Sequence, residues 1–260
     1  MSAKSGTAAL GEQRDGAIVT LTITNAGKLN AIPVALRDAL TDAFARLNTD
    51  AECRAIVLTG ADGNFSAGAD MEGWSETTVQ QCRTRLKRGG ARLLREMVAG
   101  SKPIIAAVEG YAFGAGLALA CAADHLIASS AAQFCCAFTR VGFIPDLGML
   151  YTLPHRVGIA RAKQIIALAE TIDAARAERL GLVDEVTAPG AALERARAVA
   201  AQYAEGPPLA FELMKSAFAR GLEAMIQAEI DLQPYAWLSQ DFEEGRRAFR
   251  EKRKPRFTGR

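Results

Sequence analysis

No stretch of this 260-residue chain is apolar for long enough to cross a bilayer as a helix. The most hydrophobic piece, Pro103 to Ala123, is interrupted by Glu109 and by glycines. Charge of one sign is also missing: 31 basic against 29 acidic residues leave a formal +2. Bulk electrostatics therefore give no nucleic-acid footprint. The five cysteines are odd in number and show neither CxxC nor Cys/His ligand spacing, so no disulfide framework or metal site is expected. Reduced, mostly core thiols fit a cytoplasmic setting. The opening MSAKSGTAALGEQRDG has no apolar leader core and no Arg-rich amphipathic pattern, and the final TGR is not a peroxisomal tripeptide of the familiar kind. Aromatics make up 7%, and no aromatic cage is evident.

What is present is an alternation of strand and helix patterns, which points to an α/β protein. AIVTLTIT (17–24) alternates and is β-branched, and RAIVLTG (54–60) and PIIAAVEG (103–110) read as buried strands. A helix is expected from Pro33, with the proline at N1. Its apolar stripe is Leu36, Leu40, Ala43, Phe44 and Leu47. A basic helical stretch from Thr77 to Ala99 is weakened by Gly89 and Gly90. Short strands follow at 126–128 and 132–135, then helices at 159–169, 173–180 and 191–205. Beyond Gly206-Pro207-Pro208 the pattern is helical to about Arg250, with Gly221 as a divider. Residues 1–205 thus form the expected α/β core, and 206–260 a helical C-terminal module.

Two glycine-rich loops, FSAGAD (65–70) and GYAFGAGLALACAAD (110–124), each follow a strand and open toward a helix. Backbone N–H groups at such a position can donate to an anion or a polarised carbonyl. Glycines also serve turns and close packing. The second loop lacks the third glycine of a dinucleotide fingerprint and the lysine of a P-loop.

Taken together the motifs resemble the crotonase (enoyl-CoA hydratase/isomerase) superfamily. Phe65 to Met71 is similar to its F-x-A-G-x-D motif, and Lys28-Leu29-Asn30-Ala31 to its K-x-N-A signature. Gly110 to Asp124 is similar to its second glycine loop and helix, and Ala248 to Pro255 to its A-F-x-E-K-R ending. The resemblance implies a spiral of ββα turns with a helical trimerisation module, assembled as a homotrimer or dimer of trimers. It implies an acyl-CoA thioester as partner, with CoA part of the substrate and no separate cofactor. The backbone N–H groups of Ala69 and Ala115 would form an oxyanion hole. Ala31, Ala67, Gly68, Asp70, Met71, Gly114 and Phe138 would contact the substrate. Lys28, Phe249 and Lys252 would lie near the CoA nucleotide, the last two reaching a neighbouring subunit.

Activity within a superfold must be argued from side chains. Between Pro103 and Ala169 the acidic residues are Glu109, Asp124 and Asp146 alone. The two glutamates that hydratase relatives use fall at Ala118 and Phe138 here, which argues against hydration. The histidines, His125 and His155, read as structural, so an aspartate nucleophile with a histidine base is not expected either. Asp146 has two readings. Pro145-Asp146-Leu147-Gly148 ahead of Met149 is a credible helix start with Asp as its N-cap. The segment FTRVGFIPDLG (138–148) also resembles that of superfamily isomerases, nearest the phenylacetate-pathway 1,2-epoxide isomerases, whose catalytic aspartate stands at this place. That resemblance implies an isomerase. It would move a 3-enoyl-CoA double bond to the 2-trans position, or rearrange a ring epoxide or oxepin thioester, with burial raising the Asp146 pKa. The alternatives are a hydratase with a non-standard base and a catalytically silent CoA-binding homologue.

Overall fold

The computed structural model describes residues 8–260; residues 1–7, part of the N-terminal stretch searched above for a leader, lie outside it. The chain opens with an antiparallel hairpin, β1 (Ala9–Asp15) and β2 (Ile18–Thr24), turning at Gly16 with φ 55°. The sequence reading missed β1 because the strand is exposed almost throughout and carries no apolar alternation. Helix α1 (Val34–Thr49) buries the whole predicted stripe, but Pro33 is its cap residue and not its first helical one. Strand β3 (Ala55–Gly60) then leads into the first glycine-rich loop.

The expected long helix over 77–99 is two helices, α2 (Val79–Arg88) and α3 (Gly90–Val98). Gly89 breaks them at φ −107°, ψ −100°, outside helical space. A side chain there would also run into the Arg37 guanidinium. Strand β4 (Ile104–Val108), the short β5 (Tyr111–Phe113) and α4 (Ala115–Cys121) carry the second glycine loop. Next come β6 (His125–Ser129), β7 (Gln133–Cys135), a 3-10 turn (Ala137–Val141), α5 (Met149–Val157) and α6 (Ile159–Leu168). The core closes with β8 (Ile172–Asp173), α7 (Ala174–Arg179), β9 (Glu185–Thr187) and α8 (Ala192–Glu205).

The main sheet has the order β1-β2-β3-β4-β6-β9, parallel from β2 onward, and a second sheet has the order β5-β7-β8. Strands β3 and β4 are buried almost end to end, as expected where both faces of a parallel sheet are covered. Ile105, Ala107 and Val57 pack against α8 on one face, while Leu58, Ala106 and Val108 join the larger core on the other.

Past Gly206 the chain is helical as expected, in three helices: α9 (Pro208–Phe218), α10 (Leu222–Trp237) and α11 (Gln240–Arg250). Gly221, at φ 93°, makes the predicted break. A second break falls at Ser239, whose hydroxyl caps α11 by accepting the Phe242 N–H at 3.1 Å. Lys215 ties α9 to the core: its buried ammonium donates to the carbonyls of Met97 and Lys102 and pairs with Asp124 at 2.7 Å. Gly245 lets α11 come close to the 3-10 turn, where a Cβ would sit 2.4 Å from the Val141 carbonyl oxygen. Among the described residues no helix is long and apolar enough to cross a membrane.

Candidate active site

The two glycine-rich loops are stitched side by side by main-chain hydrogen bonds. The Ser66 N–H donates to Tyr111 O at 2.8 Å, and the Phe113 N–H returns to Ser66 O at 3.0 Å. The Ser66 hydroxyl donates to Asn30 O at 2.8 Å and accepts the Gly68 N–H at 3.1 Å. Asn30 is almost fully buried and clamps the same place: its Nδ2 donates to Ala61 O and Asn64 O, both at 2.7 Å. The K-x-N-A stretch therefore braces the first loop from behind.

Gly68, at φ 111°, lies so near the second loop that a Cβ would sit 2.9 Å from Phe113 O and 3.5 Å from Ala115 N. Gly114, at φ 49° and ψ −118°, turns the chain into α4 in a conformation that side chains disfavour. These two glycines bring the Ala69 and Ala115 N–H groups onto adjoining loops. Neither donates to a protein acceptor among the described residues, and Ala115 is the first residue of its helix.

Both alanines border a cavity of about 990 Å³. Lys28, Ala31, Ala67, Gly68, Asp70, Met71, Gly114, Phe138, Asp146 and Phe249 border it too, so the structure gathers almost the whole predicted set. Lys252 is the exception; it is exposed beyond the end of α11 and does not line the cavity. Lys28 is held at 2.9 Å from Asp70 and 2.5 Å from Glu72, and hydrogen bonds to those two carboxylates raise its pKa.

The capping reading of Asp146 does not hold. Gly148 occupies the cap position of α5, and no side chain caps that helix. Asp146 contributes only its backbone oxygen, which accepts the Met149 N–H at 3.1 Å. Asp146 is half-buried and borders the cavity. Loss of water pushes the Asp146 pKa up to about 6, against the pull of the Gln233 amide and of the more distant Arg37 and Arg85 charges. The turn that presents it is strained at Leu147, φ 51°.

Four features escaped the sequence reading. Glu229 and Gln233 of α10 are buried polar residues behind Asp146. The Gln233 Nε2 donates to Ile144 O at 2.9 Å, which fixes the Asp146 turn. Glu229 accepts the Gly148 N–H at 3.2 Å. Burial and the Asp146 charge push its pKa up to about 8. The third feature is an aromatic cluster, absent from the expectation based on composition. Trp74 stacks on Trp237 with centroids 4.6 Å apart, and Phe143 stacks on Phe242 at 4.5 Å. Trp74 is thus both cavity wall and part of a packed cluster. The fourth is Arg85, whose guanidinium lies over the Trp74 ring at 4.8 Å and pairs with Glu76 at 2.8 Å.

Paired N–H donors on abutting loops, an apolar cavity and one poised carboxyl define a site for polarising a carbonyl and moving a proton beside it. Comparison with known proteins agrees with that class. The family model described as enoyl-CoA hydratase/isomerase matches residues 13–260. A Rhodobacter capsulatus protein named probable enoyl-CoA hydratase is 41% identical over 247 residues, covering 94% of this chain and 95% of its own. The Escherichia coli 1,2-epoxyphenylacetyl-CoA isomerase is 33% identical over 249 residues, covering 93% and 95%. Among solved structures, an enoyl-CoA hydratase from Mycobacterium avium subsp. paratuberculosis superposes with a TM-score of 0.85 at 32% identity, covering 96% of this chain and 98% of that one. The chain belongs to the enoyl-CoA hydratase/isomerase family and has its α/β crotonase fold with C-terminal helices. Its substrates are accordingly acyl-CoA thioesters.

Proposed function

We propose that the protein is an acyl-CoA isomerase in which Asp146 is the proton-transferring base and the Ala69 and Ala115 N–H groups hold the thioester oxygen. The observation that supports this reading is that Asp146 borders the same cavity as Ala69 and Ala115, with its pKa raised to about 6 and its side chain engaged in no cap. Asp146 removes the α-proton of a 3-enoyl-CoA. The negative charge moves onto the thioester oxygen between the two N–H donors, each worth ~10²–10³ in rate. A proton is then delivered at C4, leaving the 2-trans-enoyl-CoA. A ring epoxide or oxepin thioester is the alternative substrate, supported by the 33% identity to the 1,2-epoxyphenylacetyl-CoA isomerase.

Ala118 and Phe138 stand where hydratase relatives carry glutamates, which removes the usual pair for orienting and deprotonating water. Hydration remains the second reading for two reasons: Glu229 puts another carboxyl on the same cavity, and the 41% identical relative is named a probable hydratase. The discriminating experiment supplies 3-enoyl-CoA and 2-trans-enoyl-CoA in ¹⁸O-labelled water. Double-bond migration without label in the product is expected. A labelled 3-hydroxyacyl-CoA as the main product would replace isomerisation with hydration.

In this reading residues 1–205 bind and transform the thioester, and 206–260 close the cavity and assemble the oligomer. Exposed Leu209, Leu213 and Phe218 of α9 and Tyr235 of α10 support assembly into a trimer or a dimer of trimers. Phe249, two-thirds exposed at the cavity rim, and Lys252 are then placed to meet CoA across a subunit boundary. Five buried, unpaired thiols support a cytoplasmic setting.

A further inference from the structure

Glu229 is a buried acid that the proton transfer described above leaves unused. It lies on α10, is 6% exposed, and borders the same cavity as Asp146. Its Oε2 is fixed by the Gly148 N–H at 3.2 Å, two residues beyond Asp146. Its Oε1 is buried and has no hydrogen-bond partner among the described residues. An unpartnered carboxylate oxygen in that position would be costly, so the carboxyl at the cavity wall is favoured in its protonated form.

Among the described residues no cation is dedicated to Glu229. Arg37 from α1 and Arg85 from α2 both border the cavity, but each already pairs with a carboxylate, Asp38 and Glu76 respectively, at 2.8 Å. The Cys136 thiol, just ahead of the 3-10 turn, is raised by burial and so stays neutral. On α10 itself, Asp231 is paired with Arg83 at 2.5 Å, and Gln233 is neutral. What faces Glu229 with charge is Asp146.

Resting on the isomerase reading, we propose that Glu229 in its protonated form is the acid partner of Asp146, giving a proton to C4 of the dienolate while Asp146 keeps the one taken from C2. The balance is complete without a co-reactant. The C2–H bond breaks, its proton goes to the Asp146 carboxylate, and its electron pair enters the dienolate. The dienolate then forms a C4–H bond with the Glu229 proton, leaving Glu229 anionic. Transfer of the proton from Asp146 to Glu229 resets the pair.

The order of proton affinities agrees with these roles, with Asp146 at about 6 and Glu229 at about 8. Near neutrality one proton rests on the pair, and it rests on Glu229. Activity should therefore rise as Asp146 ionises and fall as Glu229 ionises, a bell with limbs set by the two groups.

The test combines a pH–rate profile with isotope transfer, using 3-enoyl-CoA dideuterated at C2, in ordinary water. The transfer is read in a single turnover with enzyme in excess, so that a deuteron passed to Glu229 meets no second substrate. In that single turnover of the unmodified enzyme the abstracted deuterium should be absent from C4, which receives the Glu229 proton, while the second deuterium stays at C2 of the product. Glu229→Gln, which keeps a neutral polar group in the same shape, should retain the acidic limb and lose the basic one. Its turnover should fall by ~10²-fold, the scale of a lost general acid. Deuterium should then be carried from C2 to C4, since Asp146 must serve both positions. A basic limb that survives the substitution, or unmodified enzyme that already carries the abstracted deuterium to C4 within the single turnover, would overturn the proposal. The label experiment stands on the unmodified protein even where the variant folds poorly. No isomerisation by the unmodified enzyme would overturn the parent reading instead.

Discussion

Asp146→Asn should make the protein more stable, and by an amount that depends on pH. The carboxyl is raised from an ordinary 3.8 to about 6 by loss of water around it. A carboxyl with a raised native pKa binds its proton more tightly when folded, so its contribution favours folding below the unfolded pKa. That contribution is lost as pH rises from about 4 through about 6. The shift of about 2 units, at 1.36 kcal/mol each, sets an upper bound of ~3 kcal/mol carried as a penalty at pH 7. The carboxyl still meets solvent in the open cavity, so about 1–2 kcal/mol is the figure to expect. Asparagine has no charge to desolvate and keeps the size and the Met149 main-chain bond. Removing the Asp146 charge also relieves Glu229, whose own rise is partly due to it. Thermal melts of both proteins at one protein concentration should coincide near pH 4 and diverge toward pH 7.5. The variant should then lead by roughly 2–8 °C, at about 2–4 °C per kcal/mol for a chain of this size. Equal melts at pH 7.5, or an offset that does not change with pH, would refute the claim that Asp146 is held ionised at a cost.

Gly114→Ala meets no steric obstacle, since nothing lies within 4 Å of the added Cβ, yet φ 49° with ψ −118° penalises it by about 1–3 kcal/mol. Relief of that strain should tilt the Ala115 N–H and lower kcat at least about tenfold while substrate still binds, as steady-state kinetics will show. Lys215→Met leaves the Asp124 carboxylate and two carbonyls without their donor in the interior. Chemical denaturation should register a loss of about 3–5 kcal/mol. Asp124→Asn together with Lys215→Met should recover part of it.

The parts of the site legible in the sequence are those built from consecutive residues. Phe65 to Asp70 and Gly110 to Gly116 carry glycines that the backbone requires, Gly68 for close approach and Gly114 for its dihedrals, so the chemistry leaves a local signature. Asp146 was visible as a lone acid in an apolar run, although its role was ambiguous until the cap position proved to be Gly148. Glu229 and Gln233 left a fainter trace. They stand in line with Leu222, Ile226, Ile230 and Trp237 on the buried face of α10, polar residues at apolar-stripe positions. Their partner, the Asp146 turn, lies more than eighty residues away, and only tertiary packing joins them. The aromatic cluster was hidden for the same reason, since Trp74, Phe143, Trp237 and Phe242 come from four separate segments. Strand β1 was lost because it pairs by backbone while its side chains face solvent.

The central claim is that one carboxyl, Asp146, takes the α-proton of a bound thioester. NMR in deuterated water reads this directly, by following the C2 protons of a 3-enoyl-CoA with the unmodified enzyme and with Asp146→Asn, alongside calorimetric binding of the same thioester. The account predicts rapid loss of the C2 proton signal with the unmodified enzyme, none above background with the variant, and similar affinity for both. Proton exchange that persists undiminished in a variant still binding the thioester would contradict it.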